Sequence, residues 1–111
     1  MVAKKIVKKD KLTKFEGGAT RSEKPERREL IPKAAIDALA RRLALGAAKH
    51  GVNNWRKGGE EFRLATLNHL LDHIFEYLER GGQENIDAII CNAAFLCEYE
   101  ERKAHPGVVL D

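Results

Sequence analysis

Residues 53–59, Asn53-Asn54-Trp55-Arg56-Lys57-Gly58-Gly59, put two amides, an indole and two cations beside flexible glycines. A nucleotide suits such a set: a base meets an aromatic ring, amides read its edge and cations neutralise its phosphates. The plainer alternative makes Trp55 a hydrophobic plug with solvated neighbours. A second set, His69, Asp72, His73, Glu76 and Arg80, recurs at helical spacing and shares one helix face. Imidazoles and carboxylates within about two turns can bind a divalent cation or move protons. A solvated face laced with i,i+4 ion pairs explains the same spacing. Glu84-x-x-Asp87 projects two carboxylates to one side, as magnesium requires, although carboxylates at a helix start also suit the helix dipole. Asn92, between Ile89 and Leu96, needs a backbone or ligand partner for its amide. Arg21, Ser22 and Lys24 follow Gly17-Gly18 and can wrap a phosphate, or form an ordinary surface loop. The pattern G-x-x-x-x-G-K-[ST] is absent, which excludes a Walker-type phosphate loop.

Three amphipathic helices must position these groups. In the first, Ile36, Leu39, Ala40, Leu43 and Ala47 recur at three- and four-residue steps, with Pro32 suited to its first turn and Gly51 to its end. Lys33, Arg41, Arg42, Lys49 and His50 fall largely off that stripe and make a cationic side. The second helix covers residues 60–80, with Leu64, Leu67, Leu71, Ile74 and Leu78 as a bundle seam and Gly81-Gly82 as its stop. The third covers residues 84–102, with Ile86, Ile89, Ile90, Ala93, Leu96 and Cys97 facing inward. Residues 1–14 read as a lysine-rich, weakly ordered arm, residues 15–31 as an extended loop, and residues 104–111 as an irregular tail. The domain proper is therefore placed at 15–103.

At 111 residues and 43% apolar composition the chain holds one small core, which a partner subunit would help to complete. Leu64, Leu71 and Leu78, or the face of Ile90 and Cys97, have too little intrachain partner surface, so a homo-oligomer is expected. The net charge of +3 and a pI near 9.0 reflect the N-terminal arm rather than a basic face, so a general nucleic-acid binder is not indicated. Cys91 and Cys97 point to different sides of one helix and form neither a disulfide framework nor a zinc site. That favours a reducing compartment. Without an apolar run long enough to span a bilayer, the expectation is a cytoplasmic protein with no membrane partner.

Gly18-Ala19-Thr20-Arg21, Lys24-Pro25, Leu30-Ile31-Pro32, Gly46-Ala47-x-Lys49-His50-Gly51, Asn53-Asn54-Trp55-x-Lys57-Gly58 and Asn68-His69-Leu70 together resemble a phage-encoded family. It is the dATP/dGTP diphosphohydrolase family, a branch similar to the all-α, MazG-type nucleoside triphosphate pyrophosphohydrolases. The resemblance spans roughly residues 16 to 102. It implies an all-α bundle of three main helices, assembled as a dimer or larger, that binds a purine deoxynucleotide with Mg2+ and releases a monophosphate. By the same resemblance Arg21, Lys24, Lys49 and Lys57 contact phosphates, and Asn53, Asn54 and Trp55 lie near the sugar or base. MazG-type enzymes hold magnesium with E-x-x-E on one helix and E-x-x-D on the next. Glu84-x-x-Asp87 matches the second half, and helix geometry lets Asp72 and Glu76 replace the first. A carboxylate or His69 would take the proton of the attacking water.

Two other readings stand beside this hydrolase. A non-catalytic relative would keep the cations, amides and indole and sequester a nucleotide, such as a host signalling nucleotide in an anti-defence role. An interaction or DNA-binding module would act through the basic arm.

Overall fold

The computed structural model describes residues 11–105, which form two compact units, one ending at Ile31 and one beginning at Pro32. Most of the basic arm, residues 1–10, and the tail from 106 to 111 lie outside the described residues.

The first unit corrects the expectation of a structureless stretch through Ile31. Strand β1 (Leu12–Lys14) pairs antiparallel with β2 (Thr20–Ser22), placing Thr13 opposite Arg21. Neither strand shows an apolar alternation, and every residue in both is exposed, so no period could reveal them. The turn defines the hairpin instead. Gly17 and Gly18 sit at φ +90° and +94°, a region that a side chain enters only with strain. Around them, the Phe15 N–H donates to the Ala19 carbonyl at 2.7 Å. A short 3-10 turn, Arg28–Leu30, ends this unit, with Arg27 and Glu29 ion-paired.

The second unit is the expected bundle of three helices: α1 (Lys33–His50), α2 (Glu60–Arg80) and α3 (Gln83–Ala104). Pro32, extended at φ −66°, precedes α1, and Gly51 at φ +93° ends it by donating to the Ala47 carbonyl. The second helix keeps its expected bounds, whereas α3 runs slightly beyond 84–102 at both ends. Helix α3 is central, because α1 and α2 each pack chiefly against it. Its buried apolar positions are small: Ala88 and Cys91, joined by Ala38 of α1. Small side chains let helix axes approach closely. Thr66 of α2 is also buried, its hydroxyl donating to the Phe62 carbonyl at 2.8 Å.

One charged pair locks α1 onto α3. Arg41 donates Nε to Asp87 Oδ2 at 2.8 Å and Nη2 to Oδ1 at 2.9 Å, and Gln83 adds a bond to Oδ1 at 2.8 Å. Asp87 is only 8% exposed, so its charge depends on these donors. The Arg41 guanidinium, then Gln83, hold its pKa at about 2 against the opposing effect of burial.

The apolar stripes of α1 and α2 are turned differently from expectation. Ile36 and Leu43 remain exposed, while Ala38 and Arg41 meet α3. Leu64, Leu71 and Leu78 are likewise 50%, 47% and 75% exposed, with only Leu67 and Ile74 of that seam partly covered. Within one chain α2 instead packs through Phe62, Thr66 and His73. Among the described residues no helix is long and apolar enough to cross a membrane.

Ala88→Leu should overpack the centre of the bundle and cost about 1–3 kcal/mol, read as a lower Tm in a thermal melt. An unchanged Tm would mean that α3 has room there. Asp87 is a carboxylate with depressed pKa, so its contribution is complete above the unfolded value of about 4 and fades as pH falls. Tm should therefore drop between pH about 4 and about 2 more steeply in the wild type than in Asp87→Asn. Parallel curves would show that Asp87 does not titrate against Arg41.

Candidate functional site

A cavity of about 690 Å³ opens within the helical unit, between the C-terminal half of α1, the Trp55 turn and one side of α2 and α3. Six of the expected site residues border it: Lys49, Asn53, Asn54, Trp55, His69 and Asn92. The sequence folds this way because α1 must end at Gly51 and return to α2 within a few residues. Asn53 takes a left-handed conformation at φ 59°, which asparagine tolerates, and a 3-10 turn over Asn54–Lys57 follows.

That turn is clamped from α3. Trp55 stacks on Phe95 with ring centroids 4.7 Å apart, and the Arg56 guanidinium lies 4.6 Å from the indole centroid. Arg56 also donates to Glu98 at 2.6 Å, and Arg102 donates to the Arg56 carbonyl. Part of the indole surface is thus already covered within the chain. A ligand meets what Trp55 leaves open rather than a bare ring. Phe62 completes the aromatic wall, tilted against Phe95 at 6.4 Å. Gly58 makes this wall possible, since a Cβ there would fall 2.3 Å from the Phe62 ring.

Asn92 is partly buried on the cavity wall. Its amide nitrogen donates to the Ala88 carbonyl at 2.8 Å, and its oxygen receives no hydrogen bond among the described residues. It therefore offers an acceptor to a ligand amine. Lys49 is exposed at the rim. Lys57 is exposed and does not border this cavity, and Arg21 and Lys24 are exposed residues of the first unit.

A second cleft, of about 550 Å³, lies where the end of α2 meets the start of α3. Glu76 and Glu84 border it with Arg42, His73, Arg80 and Asn85. Asn85 donates its nitrogen to the Gly81 carbonyl at 2.9 Å, leaving its oxygen to accept from His73 Nδ1 at 3.0 Å. The proton of the neutral ring is thereby fixed on Nδ1 and the lone pair on Nε2. His69, on the wall of the first cavity, borders no part of this cleft.

The residues expected to hold magnesium do not gather. Asp87 has both oxygens committed to Arg41 and Gln83, Glu76 pairs with Arg80 at 3.2 Å, and Asp72 is exposed and borders neither cavity. Among the described residues no three His, Cys, Asp or Glu side chains surround one point. Magnesium demands several oxygens in near-octahedral geometry, which this set within one chain does not supply. E-x-x-D spacing reveals which side of a helix carries carboxylates, but not whether an arginine on another helix already holds one of them.

Phe62, Phe95 and Asn85 also border these cavities and were not singled out from the sequence, whereas His73 and Arg42 were named only as members of an ionisable stripe and a cationic helix side. Arg42 had a legible signal, since it precedes Lys49 by seven residues and so shares its helix face.

Fold and site together define a small all-α protein with an aromatic, amide-bearing and cationic cavity between its helices. A family model for the dATP/dGTP diphosphohydrolase N-terminal domain matches residues 16–106, and the chain belongs to that family. No curated protein and no solved structure matches it.

Gly58→Ala should push the Phe62 ring off Phe95 and cost about 1–3 kcal/mol of stability. It should also blue- or red-shift the Trp55 emission, because Phe95 loses its support. An unchanged Tm and spectrum would show that the aromatic wall does not depend on this close approach.

Proposed function

We propose that the cavity beside Trp55 binds a purine deoxynucleoside triphosphate, and that the chain hydrolyses it to a monophosphate and pyrophosphate. The observation that carries the binding half is convergence: Lys49, Asn53, Asn54, Trp55 and Asn92, chosen from sequence, border one cavity. Pockets of about 300–1,000 Å³ with an apolar lining and a few polar groups are the usual form of small-ligand sites. The base lies along the wall of Trp55, Phe62 and Phe95, where the Asn92 oxygen can accept from an exocyclic amine. Lys49 contributes charge at the rim, and Lys57 of the neighbouring turn remains a phosphate contact in this reading.

Hydrolysis rests on family membership. Mg2+ belongs to it through the same resemblance, with Asp72, Glu76, Glu84 and Asp87 as the proposed carboxylates and His69 as a proposed proton acceptor. Glu76 and Glu84 border the same cleft, whereas Asp87 would have to leave Arg41. A homo-oligomer is also part of the proposal, supported by the exposed row of Leu64, Leu71, Phe75 and Leu78 on α2. Both cysteines are free thiols, which agrees with a cytoplasmic setting.

The scattered carboxylates favour a second reading, in which a phage protein sequesters an intact purine or signalling nucleotide without turnover. Incubation with dATP and dGTP, with and without magnesium, separates the two. Metal-dependent release of monophosphate and pyrophosphate supports the hydrolase, and retention of unchanged nucleotide supports sequestration. In either case Trp55→Ala should weaken binding by about 1–3 kcal/mol, measured by calorimetric titration. Equal affinity in the variant would remove Trp55 from the site.

A further inference from the structure

Arg42 borders both the cavity beside Trp55 and the cleft that holds Glu76 and Glu84. We infer that Arg42 is a principal phosphate-binding residue of this protein and that one nucleotide spans the two cavities, its base beside Trp55 and its phosphates at Arg42. This rests on the nucleotide reading above and deepens it.

Most other arginines of the helical unit are committed inside the chain. Arg41 holds Asp87, Arg56 meets Glu98, Arg63 meets Glu60 and Arg80 meets Glu76. Arg42 is partly buried, yet it donates no hydrogen bond among the described residues. A guanidinium that faces two cavities with no acceptor among the described residues is open to an anionic ligand, and its planar fork suits phosphate oxygens. Its charge reaches the walls around it: at Asp87 it adds a small part to the lowering that Arg41 and Gln83 produce, and at Cys91 it opposes the rise that burial causes. Lys49, seven residues later on the same face of α1, stands roughly 10 Å along the helix axis and borders the same cavity.

The division of the walls gives the ligand its direction. Trp55, Phe62 and Phe95 all belong to the first cavity, and none borders the second. Glu76, Glu84 and the His73 ring belong to the second. An aromatic base therefore has partners on one side of Arg42 only, and the phosphate chain extends to the other.

The test is calorimetric titration of the full chain with deoxyadenosine, dAMP and dATP, in the wild type and in Arg42→Gln and Arg42→Lys, with a thermal melt of each. Arg42→Gln should lose tenfold or more of its dATP affinity while deoxyadenosine affinity and Tm hold, and Arg42→Lys should fall between. Equal loss for the nucleoside and the triphosphate, or no loss for either, would overturn the assignment while leaving the nucleotide cavity intact. If the wild-type chain binds none of the three, the nucleotide reading falls and this inference with it.

Discussion

Everything in the helical unit follows from α3 being packed on two sides while α1 and α2 make few contacts with each other. Two helices leaning on a third leave a wedge between them. The buried apolar positions among the described residues are alanines and a cysteine, not large side chains, so the centre is tight but thin. The wedge is closed at one end by the Trp55 turn and the Phe95 ring beneath it. Elsewhere it stays open as the cavity. The core that would fill a larger bundle is thus replaced by space that a ligand can occupy.

Charge enforces this arrangement. Arg41 with Asp87 fixes α1, and Arg56 with Glu98 fixes the turn. Glu60 with Arg63 and Tyr99 ties the start of α2 to the end of α3, the Arg63 and Tyr99 donors holding Glu60 at about 2. Carboxylates and guanidinia used in this way are unavailable to a ligand. Among the groups left around the cavity, beside Asn53, Asn54 and His69, three stand out: Arg42, Lys49 and the Asn92 oxygen. These three mark where a nucleotide differs from an arbitrary apolar guest.

The helices were legible because each carries marked ends and a strong period; Pro32, Gly51 and Gly81-Gly82 stand where α1 and α2 begin or stop. The inward faces were less so. Leu64, Leu71 and Leu78 repeat as a bundle seam, yet the single chain covers a different face of α2 and leaves them exposed. Period identifies an apolar stripe but not which surface covers it. The Asn53–Lys57 turn stood out because a cluster of amides and an indole is a local signal, and the structure stacks that indole on Phe95 beside a cavity. By contrast the β1–β2 hairpin has only Gly17-Gly18 to announce it. The Arg41–Asp87 pair joins residues 46 positions apart, and nothing local in either segment encodes it. That pair is why an E-x-x-D motif could be seen and its availability to a metal could not.

Trp55 is the one tryptophan of the chain and borders the cavity, so its emission reports on that wall. Titrating the protein with dATP and dGTP while following that emission tests most directly whether the cavity is a nucleotide site. The account predicts a saturable change that deoxyribose 5-phosphate, lacking a base, does not produce. Emission that stays constant through millimolar nucleotide, or responds equally to the sugar phosphate, would contradict it.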